Sequence, residues 1–362
     1  MFLRLLSRRN ISTKGVFVKV EKSRTPRYLP ILGGFSLLAL GYVSYPKIID
    51  SRQSELSPTT FTSYRISYKK NIDDDHFLIE LTPKIKQNIN IWVQLGSNKL
   101  WSVEVKQPEI MVVRRYTPLP LEYKNDSDSI SLFNNGNNAH GKLFFYVKQY
   151  SQGEVARWLH NKEEGDVVEL RGPFIEYELP SYEDEVKQSR GNMYSEFTVP
   201  GDKSEDLENY KYQPYDISMY TAGTGIVPAL QLLLTDPAFR GKIQLFYSCQ
   251  TFEQLGPLRD FLNTSLKNKK IQLNVFESSK GDNIKNNIDV FLKTIKPPTE
   301  YIKNLPFDRN HLSEMKPVLS LVCGPDDYIT TIAGEKYDLS QGPIGGLLKQ
   351  KGWTADNVYK LP

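Results

Sequence analysis

Arg114-Arg115-Tyr116-Thr117-Pro118-Leu119 puts a cation, an aromatic ring and a hydroxyl on one short strand. A fixed guanidinium matches a pyrophosphate. A tyrosine can lie along a planar ring, and a threonine hydroxyl can donate to a ring atom that receives a hydride. About a hundred residues later comes Gly223-Thr224-Gly225-Ile226-Val227-Pro228. A glycine turn that opens a helix aims backbone N–H groups at a second pyrophosphate. Together the two clusters suit a flavin in one domain and a nicotinamide dinucleotide in the next. That pairing takes a hydride and passes on electrons.

Two kinds of element have to position these residues. Residues 57–180 run in short alternating segments: Thr60–Lys69, Asp73–Thr82, Ile91–Leu95, Leu100–Val105, Glu109–Tyr116 and Lys142–Gln149, punctuated by Pro83, Gly96, Pro108 and Gly136. Such spacing predicts strands and a small antiparallel barrel. Asn125–Asn138 is Asn-rich and apolar-poor and reads as a surface excursion without chemistry. Residues 214–362 alternate strand and helix instead. Asp216–Thr221, Ile243–Tyr247, Ile271–Phe276 and Val318–Leu321 read as strands; Pro228–Leu234 and Leu255–Leu266 read as helices. That alternation indicates a parallel sheet. Ser248-Cys249-Gln250-Thr251 holds neither an acid for a ribose 2′-OH nor an arginine pair for a 2′-phosphate, so NADH and NADPH both stay open. Taken alone, Arg115 and Tyr116 are equally an edge-strand pair.

In this order the motifs resemble the ferredoxin–NADP reductase superfamily, in its NADH–cytochrome b5 reductase branch. The family's Arg-x-Tyr-Ser/Thr-x-Pro is met by Arg114, Tyr116 and Thr117, with Leu119 at the last position between Pro118 and Pro120. Its Val-Lys-x-Tyr strand and Gly-x-Met/Val-Ser turn are met by Val147, Lys148 and Tyr150, then Gly153, Glu154, Val155 and Ala156. Ala156 replaces the usual hydroxyl residue, which implies one lost phosphate contact, and the short connection between strand and turn implies a loosely held adenosine end. Arg171-Gly172-Pro173 matches the string that closes the barrel. Gly223, Thr224, Gly225 and Pro228 match the dinucleotide turn, with Val227 where Thr is usual. Cys323, Gly324 and Pro325 match a Cys-Gly-Pro whose thiol approaches the nicotinamide and the flavin. Val358–Leu361 match the family's final strand, but Leu361 and Pro362 depart from its terminal aromatic, which implies a less guarded nicotinamide pocket.

The resemblance implies a β plus α/β protein. A six-stranded antiparallel FAD-binding barrel (57–180) and a charged inserted linker (181–213) precede a parallel-sheet NAD(P)-binding domain (214–362). It implies FAD, NADH or NADPH as donor, and Thr117 and Cys323 at the reacting atoms. The linker reads either as a solvated loop or as a docking surface.

The front of the chain carries an address. Residues 1–28 hold eight basic residues against Glu21 alone, as a mitochondrial presequence does, with Arg9-Asn10-Ile11-Ser12 resembling a processing site. Leu29–Tyr45 is charge-free, and about 17 residues of helix span about 25 Å, at the short end for a bilayer. Residues 29–46 therefore read as one transmembrane helix. Its cationic N-terminal flank predicts a single-pass inner-membrane protein with its body in the intermembrane space.

A net charge of +4, with no dense basic stripe in the folded segments, argues against nucleic acid. Two cysteines, Cys249 and Cys323, and four scattered histidines offer no metal or covalent haem spacing. Within the superfamily, the anchor, Ala156, Val227 and the insertions resemble fungal mitochondrial flavoproteins that assist cytochrome c maturation. That implies haem, apocytochrome c and cytochrome c haem lyase as partners. Two other readings stay open: a general NADH–cytochrome b5-type reductase, and a degenerate flavin fold acting as an assembly scaffold.

Overall fold

The computed structural model describes residues 55–133, 140–180, 215–235, 240–268, 270–284, 286–302, 314–337 and 340–362. The chain divides into two units, residues 1–50 and 51–362, and the described residues belong to the second. The expected presequence (1–28), transmembrane segment (29–46) and charged linker (181–213) lie outside the described residues. No described helix is long and apolar enough to cross a membrane.

The first half builds an antiparallel sheet of six strands: β1 (Thr62–Asn71), β2 (His76–Pro83), β3 (Lys99–Gln107), β4 (Val112–Tyr116), β7 (Leu143–Lys148) and β8 (Val167–Glu178). A separate hairpin pairs β5 (Leu121–Lys124) with β6 (Ser129–Leu132). The sheet order is β4-β3-β8-β1-β2-β7. β1 forms because its apolar residues alternate: Tyr64, Ile66 and Tyr68 are buried, while Arg65 and Ser67 face out. The two ends of the sheet meet at one bridge, where the Leu119 N–H donates to the Phe144 carbonyl at 2.7 Å. The expected barrel is thus a rolled sheet joined at one point rather than a fully hydrogen-bonded cylinder. The expected surface excursion at 125–138 includes the return strand of the β5–β6 hairpin, turned by Asp128 in the left-handed region.

Ile91–Leu95, expected as a strand, is a short helix, α1. A five-residue apolar run fits either state. The decision comes from its ends: the Asn90 side chain accepts from the Trp92 N–H, and Gly96 stops the helix at φ 73°.

The second half is a parallel sheet in the order β11-β10-β9-β12-β13. These strands are β9 (Tyr215–Ala222), β10 (Arg240–Cys249), β11 (Ile271–Glu277), β12 (Pro317–Cys323) and β13 (Val358–Lys360). β9 and β12 are buried on both faces, as central parallel strands must be. The chain moves outward in opposite directions from these two strands. Their carboxyl ends therefore form the crevice where open α/β sheets bind ligands.

One core unites the halves. Leu78, Leu119 and Phe144 of the rolled sheet pack in the same cluster as Ile217, Met219 and Leu230 of the parallel-sheet half. A polar clamp adds to it. Gln231, on helix α3 (Val227–Thr235), is fully buried. Its amide donates to the Trp101 and Pro118 carbonyls at 3.1 and 2.8 Å and accepts from the Trp101 N–H at 3.0 Å. The helix that follows the glycine turn is thereby bolted to the turn that follows Thr117.

Candidate functional site

A cleft of about 520 Å³ lies where the rolled sheet meets the carboxyl ends of β9 and β12, within the size range of small-molecule sites. The first strand motif lines it with Arg114, Tyr116 and Thr117. The second lines it with Val147, Lys148 and Tyr150 from β7 and the turn beyond, and with Gly153, Glu154, Val155 and Ala156 at the opening of helix α2 (Glu154–His160). Thr224, Gly225 and Pro228 contribute from the glycine turn, and Cys323, Gly324 and Pro325 from the end of β12. Gly223 is absent from the lining. Its φ of 54° bends the chain out of β9, so its part is the turn itself.

The cleft depends on close backbone approach. A methyl group on Gly225 would collide with the Cys323 carbonyl, so only glycine lets the turn lie against the end of β12. The register Cys323 to Thr221 puts the thiol level with the last residues of β9. Across the opening, the Tyr150 hydroxyl lies 3.5 Å from the Thr224 hydroxyl, and the Tyr146 hydroxyl donates to the Gln254 carbonyl at 3.0 Å.

The two arginines of the strand motif do different work. Arg115 Nε lies 3.5 Å from Glu104 and Arg115 Nη1 3.2 Å from Glu176, and Glu104 also holds Arg171 at 2.6 Å. Arg115 and the Arg-Gly-Pro arginine are thus tied into one carboxylate network between β3, β4 and β8. Arg114 is exposed and donates to the neighbouring Val113 carbonyl, with no carboxylate partner among the described residues. It is the guanidinium left available to an anion in the cleft. Burial raises the Tyr116 hydroxyl well above the usual phenol range, against the nearby Arg114 charge, so the ring stays neutral.

Burial likewise pushes the Cys323 thiol up to about 12, with Lys336 opposing the rise. A thiol is a nucleophile only as its thiolate, so Cys323 can offer a compact, polarisable contact but not nucleophilic attack at neutral pH. Thr117 borders both the main cleft and a small adjoining cavity of about 50 Å³, shared with Ser102, Glu176 and Pro228.

The chain is 50% identical over 311 residues to the cytochrome c mitochondrial import factor CYC2 of Saccharomyces cerevisiae, covering 85% of this chain and 84% of that protein. The chain belongs to the CYC2 family. NADH–cytochrome b5 reductase 2 of Yarrowia lipolytica is 29% identical over 256 residues, 69% of each chain. An uncharacterised FAD-binding protein of Schizosaccharomyces pombe is 25% identical over 344 residues, 94% of this chain and 99% of that one. Among solved structures, the cytochrome b5 reductase domain of Ulva prolifera nitrate reductase aligns with a TM-score of 0.47 at 17% identity, over 84% of this chain and 99% of that chain. No protein-family model matches.

For this CYC2-family chain, Tyr146 and Gln152 line the cleft outside the motif reading, and Arg115, Ala222, Val227 and Pro362, which the motifs and the chain's last residues include, line it without having been expected to bind a cofactor. Tyr146 flanks a motif and could have been taken with it. Pro362 lines the cleft at the position where the family resemblance expects a flavin-facing aromatic. The end of β10 also differs from expectation. Ser248–Thr251 after Tyr247 hold no acid, but Glu277 stands opposite Cys249 in the parallel register. Its carboxylate accepts from the Phe252 N–H and pairs with Lys280. An acid supplied by the neighbouring strand is invisible to a local motif.

Proposed function

We propose that this chain is an FAD-containing reductase that passes electrons from NADH or NADPH to haem or a haem protein. The observation that carries the reading is the shared cleft: the flavin-type strand motif and the dinucleotide turn, far apart in sequence, line one crevice at the switch point of the parallel sheet. The residues fit the two groups. Arg114 is a cation without a carboxylate partner among the described residues, beside a neutral aromatic and a hydroxyl, and Gly225 lets the dinucleotide-type turn lie directly against the end of β12.

Arg114 would hold the FAD diphosphate, with the opening of α2 beside it. Tyr116 would pack along the ring or its ribityl chain, and Thr117 would donate to the ring edge. Lys148 and Tyr150 would flank the same cofactor. Thr224 and Gly225, with Gly324 and Pro325, would hold the nicotinamide dinucleotide. The protonated Cys323 thiol would pack where the two rings meet, and Val227 and Pro228 would keep water from that contact. FAD, when bound, supplies the chemistry that accepts a hydride and releases electrons singly; the protein aligns donor and acceptor.

Identity to CYC2 at 50% supports a finer reading. The chain would act at the mitochondrial inner membrane, anchored by residues 29–46 after the 1–28 address, with its body in the intermembrane space. Its electrons would keep haem reduced for attachment to apocytochrome c by cytochrome c haem lyase. The test is acceptor choice. Purified chain with NADH or NADPH is offered hemin, hemin with apocytochrome c, or cytochrome b5. Reduction of hemin ahead of cytochrome b5 supports the maturation role. The reverse order makes the protein a general cytochrome b5-type reductase. Ala156 and Val227, which remove two family hydroxyls from the cleft, favour a second reading, a non-catalytic assembly scaffold. A chain that transfers electrons to none of these acceptors would support it.

A further inference from the structure

Residues 84–93 form an apolar and basic surface that the cleft does not use. Val93 is 70% exposed, Ile85 53% and Ile89 44%. Lys84 and Lys86 stand exposed beside them, and no acidic residue occurs between Glu80 and Glu104. Exposed aliphatic residues interleaved with lysines resemble the composition of segments that lie in a bilayer interface. Trp92 adds a half-buried ring, packed edge-on against Trp101 at 4.8 Å.

Hydrogen bonds from two sides hold the segment in this presentation. Gln87, between Ile85 and Ile89, is buried and donates to the Tyr64 hydroxyl at 2.8 Å. From the other side, the Glu55 carboxylate accepts from the Asn88 N–H at 2.8 Å, the Asn88 amide at 3.2 Å and the Ile89 N–H at 3.4 Å. Glu55 is the acid of this network, and its oxygens are engaged by these donors. An apolar loop pinned from two sides is held exposed.

Glu55 is also the first described residue. Residues 46–54 alone separate it from Tyr45, the end of the charge-free run. At full extension that tether reaches about 35 Å. A membrane holding the run would therefore lie within reach of the loop to which Glu55 is bonded. Anionic lipid attracts lysines within about a Debye length of its surface.

We propose that this loop is a membrane-contact surface, with Ile85, Ile89 and Val93 seated in the headgroup region of an anionic bilayer and Lys84 and Lys86 on its phosphates. The proposal rests on the anchor reading for proximity and adds a fixed orientation of the body on the lipid.

The test uses the full chain in vesicles of phosphatidylcholine with phosphatidylserine. A Val93→Cys variant carries an environment-sensitive fluorophore; the native thiols, Cys249 and Cys323, are buried. A Val290→Cys variant, also at an exposed site, is the control. The expected result is quenching of the position-93 label by lipid-borne nitroxide, with the position-290 label quenched by aqueous iodide instead. Lys84→Glu with Lys86→Glu, two exposed changes that leave the fold alone, should cut the lipid quenching severalfold. Equal iodide access at 93 and 290 would overturn the proposal, whether the chain is anchored or not, and would leave the patch to a protein partner. Resistance to alkaline carbonate extraction reports the anchor separately.

Discussion

At the scale of single residues, Arg114 and Arg115 carry the sharpest distinction. They are adjacent on β4, yet Glu104 and Glu176 engage Arg115 while Arg114 keeps its charge for the cleft. Arg114→Ala should lower flavin affinity by roughly ten- to a hundredfold, the range for a hydrogen bond to a charged group of about 1.5–3 kcal/mol. Flavin-to-protein absorbance after gel filtration measures it. Arg115→Ala should instead keep the flavin and lower thermal stability by about 1 kcal/mol, a few degrees in the melting temperature. The motif predicts a cation here, but it cannot say which arginine is free. The carboxylates that decide it lie 11 and 61 residues away in sequence. Cys323 was legible as a thiol at the site. Its protonation was not, because that follows from burial at the end of β12.

At the scale of elements, the glycine turn and helix α3 decide how the halves meet. Gly225→Ala would press a methyl group on the Cys323 carbonyl. The expected outcome is slower reduction by NADH or NADPH with flavin content unchanged, measured by stopped-flow absorbance. Gln231→Leu would strand the Trp101 N–H and the Trp101 and Pro118 carbonyls in a buried site. About 2–5 kcal/mol of destabilisation is expected from those lost partners, read as a lower urea midpoint. The strand–turn–helix around Gly223–Pro228 was readable because its residues are consecutive and glycine has few other uses there. The glutamine clamp was not, since its partners are about 110 to 130 residues away. Ile91–Leu95 failed for another reason: five apolar residues have no readable period, and the cap at Asn90 outweighed strand propensity.

At the scale of the whole molecule, the rolled sheet and the parallel sheet share a core, and the cleft is the mouth of that union. The two-part architecture followed from periodicity, two-residue alternation before residue 180 and strand–helix alternation after 214. How the rolled sheet closes depends on a pairing between Leu119 and Phe144 that no local pattern announces. Both thiols are raised from about 9 to about 12 by burial. The unfolded chain therefore loses these protons first as pH rises, and native stability falls from about pH 9 toward 12. For Cys323 alone the slope is on the order of 1 kcal/mol per pH unit. Urea midpoints at pH 8 and 10.5 should differ in that direction, and Cys323→Ala should flatten the slope.

The most direct measurement is the visible spectrum of the purified full chain, taken without oxygen before and after addition of NADH or NADPH. One FAD per chain, with a yellow absorbance that bleaches on addition of the reduced nucleotide, is the predicted result. A colourless, folded protein that binds neither FAD nor nucleotide would contradict the claim that the cleft brings a flavin and a nicotinamide together.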